Sequence, residues 1–96
     1  MKITDLKGRQ REVVDMLLRG YAREEMISML RMSSAHITNA KRIAFESLGI
    51  TSEMQLLALA VRDARREVYE RLRADGNDKT AKRALEPLAF IDEVLP

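Results

Sequence analysis

The chain predicts an all-α fold, and three observations carry that prediction. No stretch of useful length alternates apolar and polar residues, so no half-buried strand is expected. Between Leu6 and Leu48, apolar residues recur at helical spacing in three separate runs, each bounded by Gly or Ser. From Ser52 to about Ala74 neither Pro nor Gly interrupts, and Met54, Leu57, Val61, Ala64, Val68 and Leu72 recur at spacings of three or four. That spacing is close to a heptad seam.

The first helix is expected from about Lys7 to Arg19. Val13, Val14, Leu17 and Leu18 form its apolar face, Thr4 or Asp5 suits its cap, and Gly20 is its stop. The second spans about Arg23 to Leu30 and buries Met26, Ile27 and Leu30. Its cap position is Ala22, which has no acceptor, while Glu24 and Glu25 suit the positive N-terminal end.

Ser33 is a good N-cap for the third helix, Ser34 to Leu48, which stops at Gly49. Ile37, Ala40 or Lys41, Ala44 and Leu48 share its core side, so Ser34, Ala35, Thr38, Asn39 and Arg42 point outward. Leu17, Ile27, Ile37 and Leu48 are the expected core.

Ser52 followed by Gln55 has the form of a capping box and opens the fourth helix. Met54 and Leu57 are expected to cover the core. Val61, Ala64, Val68 and Leu72 run past what three short helices can reach, and they suit a partner helix. The turn residues 74–78 break the chain. A short helix is expected from about Lys79 to Leu85, and Pro87 suits the first turn of a further segment. Leu85, Leu88, Phe90, Ile91, Val94 and Leu95 make this tail apolar.

Length and composition bound the function. At 96 residues, with 46% apolar and 33% charged residues, the chain reads as an ordinary soluble domain. It divides into a head, residues 1–61, and a helical extension, residues 62–96. Without cysteine there is neither a disulfide framework nor a thiolate metal site. No apolar run approaches the roughly 18 residues of a membrane span, and the charged N-terminus does not resemble a secretory signal. A cytoplasmic location with no membrane partner is the default expectation. Residues 1–50 carry nine Lys/Arg against six Asp/Glu, and residues 51–96 carry eight against nine. The basic excess therefore sits with the head.

Two short helices joined by a tight turn, the second basic on its exposed side, are the sequence form of a helix-turn-helix. Double-stranded DNA is accordingly the first partner to consider. Asn39 has the donor–acceptor pair that matches adenine, and Arg42 matches guanine or a phosphate. Thr38 suits a phosphate or a thymine methyl group, and Lys41 lies at the flank, within reach of the backbone. Ser34 and His36 complete the candidate contacts at the helix start. Arg23 and Arg31 bracket the second helix. His36 is the one histidine, and it has no nucleophile, orienting carboxylate or second ligand beside it in sequence. No catalytic residue, metal or cofactor is expected.

The order LKGRQREVVDMLLRG, EEMISMLRMSSAHITNAKRIAFESLGI, EMQLLALA resembles the LuxR/GerE-type DNA-binding domain over about residues 6–61. Leu6, Arg9, Glu12, Val13, Leu17 and Gly20 carry the resemblance in the first helix. Glu25, Leu30, Ser33, Ile37, Leu48, Gly49 and Ile50 carry it onward. The resemblance implies a four-helix head whose third helix enters the major groove and whose fourth forms a homodimer, here as a stand-alone member with a C-terminal extension. The chain departs from the family pattern at Ala22, His36, Thr38, Ala40 and Ile43. These departures concentrate where DNA contacts are expected, not in the core. A rival expectation follows from them: a protein-interaction module that binds RNA polymerase or another regulator and touches DNA little.

Overall fold

Burial of Ile37 sets the rotation of the longest helix in the head, and the surrounding elements are arranged around it. The structure is a computed structural model that describes every residue except Pro87, Leu88 and Pro96, and the side chains of Ala89, Phe90 and Asp92 are likewise outside the description. The described residues are all-helical, with no strand among them. A short 3-10 helix (Ile3–Asp5) precedes α1 (Gly8–Leu18), α2 (Arg23–Leu30), α3 (Ser34–Leu48), α4 (Glu53–Ala74), α5 (Asp78–Ala84) and α6 (Ala89–Val94). Two compact units result, Met1–Leu56 and Leu57–Pro96, with the division falling inside α4.

In the first unit Val13 and Ile37 have no accessible surface, and they cluster with Met16, Met26 and Ala40. Leu17, Tyr21, Ile27, Leu30 and Met32 pack around this cluster while remaining partly exposed. Leu17, Ile27 and Leu48 are therefore half-buried and not central as the sequence suggests. Each has an apolar neighbour that takes the inner place: Val13 and Met16 in α1, Met26 in α2, and Ala44 and Phe45 in α3. Short helices with apolar residues in adjacent positions bury one and leave the other at the rim.

The helix ends have identifiable chemistry. Ser33 Oγ accepts from the His36 amide at 3.1 Å, satisfying one donor that the first turn of α3 leaves over. At the other end Gly49 adopts φ +71°. Its amide donates to Glu46 O at 3.2 Å and the Ile50 amide to Phe45 O at 3.0 Å. This crossed pair needs a left-handed residue, which glycine adopts without a Cβ penalty. The same pair of bonds closes α1, from Gly20 to Leu17 O and from Tyr21 to Met16 O.

Neither Thr4 nor Asp5 caps α1, because both precede its N-cap, Lys7, which makes no side-chain cap bond. Asp5 instead accepts from the Lys2 amide at 2.8 Å and stabilises the 3-10 turn. Arg11 holds that turn to α1, donating to Asp15 at 2.9 Å and reaching Ile3 O at 3.5 Å. At α2 only half of a reciprocal cap exists. Glu25 accepts from the Ala22 amide at 3.0 Å, but alanine has no side-chain acceptor to return the bond. Ser52 Oγ accepts from Gln55 N at 3.1 Å as expected of a capping box. Gln55 reaches one residue further back, to the Thr51 amide.

α4 differs most from expectation. Leu56, Ala58 and Leu59 are buried, whereas Met54 and Leu57 are exposed by 57% and 48%. Two apolar rows lie side by side at the start of this helix, and the inner one is the 56–59 row. In the second unit Ala81 and Ile91 are buried, and Val94 and Leu95 are half-buried. Arg65 Nη2 donates to the Glu86 carbonyl, joining α4 to the segment after α5. Pro87, expected in the first turn of the last segment, lies outside the described residues, as do Leu88 and the side chain of Phe90.

Removing Ile37 leaves a cavity that close-packed neighbours refill poorly. Ile37→Ala should cost about 2–4 kcal/mol and Leu48→Ala less, because Leu48 keeps part of its surface in water in the folded chain. Urea unfolding of both variants checks the order, and equal losses would contradict the assigned rotation of α3.

Candidate nucleic-acid interface

Because α3 buries Ile37, Ala40, Ala44 and Phe45, its opposite side must face outward. Ser34, Ala35, His36, Thr38, Asn39, Arg42 and Glu46 are all exposed. They begin immediately after the turn Arg31-Met32-Ser33 that joins α2 to α3. The turn is sharp because Arg31 stands in the left-handed region at φ +53°, ψ +45°. A residue with a Cβ is disfavoured there by about 1–2 kcal/mol.

Three side-chain arrangements organise this surface. Arg23, the first residue of α2, directs Nη1 to Ser34 O at 3.1 Å, Ser34 Oγ at 3.2 Å and Thr38 Oγ1 at 2.9 Å. One guanidinium thereby ties the start of α2 to the first turn of α3. Ser34 and Thr38 are consequently acceptors for a cation of the same chain as well as exposed groups.

Asn39, Arg42 and Glu46 form a ladder along the helix. Arg42 Nη2 donates to Asn39 Oδ1 at 2.7 Å and Nη1 to Glu46 Oε1 at 2.9 Å. All three remain exposed, so the ladder lies on the outer surface. An amide oxygen has two lone pairs, and a guanidinium has five N–H groups. Both Asn39 and Arg42 thus retain hydrogen-bonding capacity toward a further partner.

Lys41 is arranged differently. It is half-buried, its Nζ donates to Glu53 Oε1 at 2.7 Å, and it lies 5.5 Å from the centroid of the Phe45 ring. Its charge is directed to the first residue of α4 and away from the outer face shared by Asn39 and Arg42. The sequence distance between Lys41 and Glu53 hides this pairing from a reading of local spacing. Glu46 was not singled out from the sequence either, although its separation of four residues from Arg42 is the local signal for such a pair.

An open cleft of about 270 Å³ borders the same face. Lys7, Arg9 and Gln10 from the start of α1 and His36 and Asn39 from α3 supply its polar lining, with Met32 and Ile43 among its apolar walls. Arg9 is paired with Glu12 at 2.8 Å. No ion-pair partner is found for Lys7 or Arg31 among the described residues. No group of three His, Asp or Glu side chains suited to a metal occurs among them either.

The residues expected at a dimer contact fall in the second unit. Val61, Ala64 and Val68 are exposed on α4 and Leu72 is half-buried. Arg71 pairs with Glu67 at 2.6 Å beside this row. No helix among the described residues is long and apolar enough to cross a membrane. No family model matches the chain, no curated protein matches its sequence, and no solved structure matches it.

The left-handed Arg31 yields a direct expectation. Arg31→Gly relieves the Cβ clash while adding backbone freedom to the unfolded chain, and the difference favours the variant by about 0.5–1 kcal/mol. Thermal or urea unfolding checks this. A destabilised variant would mean that the arginine side chain itself holds the turn.

Proposed function

We propose that this chain is a small DNA-binding transcriptional regulator of LuxR/GerE type, acting as a homodimer with α3 in the major groove. One observation carries the reading. The helix after the turn is locked in rotation by its apolar side, and it presents Asn39 and Arg42 together on its outer side. A helix of this diameter fits the major groove, where amide and guanidinium groups distinguish adenine and guanine. Ser34, His36 and Thr38 occupy the end nearest the turn, where phosphate or base contacts are made. The basic excess of residues 1–50, and Lys7 and Arg31, for which no ion-pair partner occurs among the described residues, suit the phosphate backbone.

The dimer part of the proposal rests on α4. Leu57, Val61 and Val68 are each more than 40% exposed along one side of a single helix. Such a row is what a two-fold partner helix buries. Two half-sites also supply discrimination that one short reading face does not.

A second reading is favoured by the ion pairs. Lys41 is engaged by Glu53 and Arg42 by Glu46, so both the lysine and the arginine of α3 already have partners. In that reading the exposed row on α4 binds another regulator or RNA polymerase, and DNA affinity is weak.

Titration with random-sequence and genomic duplexes across a salt series separates the two. The regulator reading expects sequence preference and an affinity that falls steeply with salt. It also expects Asn39→Ala and Arg42→Ala each to cost about 1–3 kcal/mol on the preferred sequence. Absence of binding at low salt would leave the interaction module. Val68→Glu tests the dimer by placing like charges at the seam. Sedimentation should show a parental dimer that the variant splits, and a parent that stays monomeric would remove the dimer from the proposal.

A further inference from the structure

The Asn39–Arg42–Glu46 ladder has an unusual member for a surface that meets DNA. Glu46 is a carboxylate on the same exposed side as the reading residues, and every approaching phosphate repels it. Yet it is not a loose surface acid: Oε1 accepts from Arg42 Nη1 at 2.9 Å, while Asn39 Oδ1 takes Nη2 from the other side at 2.7 Å. The guanidinium is gripped at both ends of its fork. Without those grips a long, exposed arginine goes to the nearest strong acceptors, and on duplex DNA these are mostly phosphate oxygens.

We propose that Glu46 is a specificity-determining positioning residue: with Asn39 it withholds Arg42 from the phosphate backbone and keeps its remaining N–H groups for a base edge. The inference rests on the proposal that α3 reads duplex DNA. Glu46 itself makes no favourable phosphate contact. Its carboxylate weakens binding to every sequence, and its hold on Arg42 restores the advantage only where an acceptor pair such as guanine O6 and N7 meets the fork. Low affinity for random DNA and discrimination at one base pair thus have the same cause.

The test uses the full chain with two probes, a short random-sequence duplex pool and the best-bound duplex selected from it by the parent. Glu46→Ala should tighten binding to the random pool by about three- to fivefold, the scale of an exposed charge pair. It should also steepen the logarithmic salt slope by about 0.9, the signature of one more cation on a phosphate. The ratio between selected and random duplexes should fall correspondingly. Glu46→Gln keeps an acceptor for Nη1 and should recover part of that ratio. In the Arg42→Ala background the steepening by Glu46→Ala should fall to well under half, because the arginine that would reach the phosphate is gone and only the loss of repulsion remains.

Random-pool affinity and salt slope unchanged in Glu46→Ala would overturn the inference. So would a steepening that is undiminished without Arg42, since the acid would then act only through general repulsion. Failure of the parent and every variant to bind duplex DNA at low salt would overturn the reading of α3 as well, which separates the two failures.

Discussion

Ile37 is the residue from which the geometry of the head follows. It has no accessible surface and lies in the cluster formed with Val13, Met16, Met26 and Ala40. A helix has one rotational freedom about its axis, and burying Ile37, Ala40 and Ala44 removes it. Asn39, Arg42 and Glu46 are then outward as a consequence of the core, and the hydrogen bonds among them act on a face that the core has already set. Ser33 and Gly49 fix the two ends of the same helix through backbone hydrogen bonds, so its start as well as its rotation is defined. The surface proposed to read DNA is thereby made from rigid parts, which reduces the ordering cost of a contact.

Much of this was legible because it is local. Ser33 as cap, Gly49 as stop and the 37–40–44 spacing are signals within one helix, and the bounds of α3 follow from them. The early part of α4 was not legible for a physical reason. Met54 and Leu57 form one apolar row and Leu56 and Leu59 another, and periodicity finds both without saying which one packs. The partial exposure of Leu17 and Ile27 has the same origin, since Met16 and Met26 beside them take the inner positions.

The candidate site was legible as a surface and less so as a network. That Thr38, Asn39 and Arg42 share the outer side follows from helical spacing. That Arg23 reaches Ser34 and Thr38, and that Lys41 turns to Glu53, depends on the packing of one helix against another. These contacts redistribute the cations: Lys41 is matched by the Glu53 carboxylate, Arg23 is tied to neutral oxygens and keeps its charge beside α3, and Arg31 and Lys7 remain at the edge of the surface. A modest net charge of +2 therefore says little about where a polyanion meets the chain. The charge that matters is the part left over after internal pairing.

The central claim is that the outward side of α3 meets duplex DNA. The most direct measurement is a titration of isotope-labelled protein with a random-sequence duplex at low ionic strength, following each backbone amide by NMR. The account predicts that shifts concentrate on residues 34–42, with Arg31 and the start of α1 at their border, while amides around Val61 and Val68 stay in place. Shifts confined to α4, or none at duplex concentrations where a non-specific DNA binder is saturated, would contradict it.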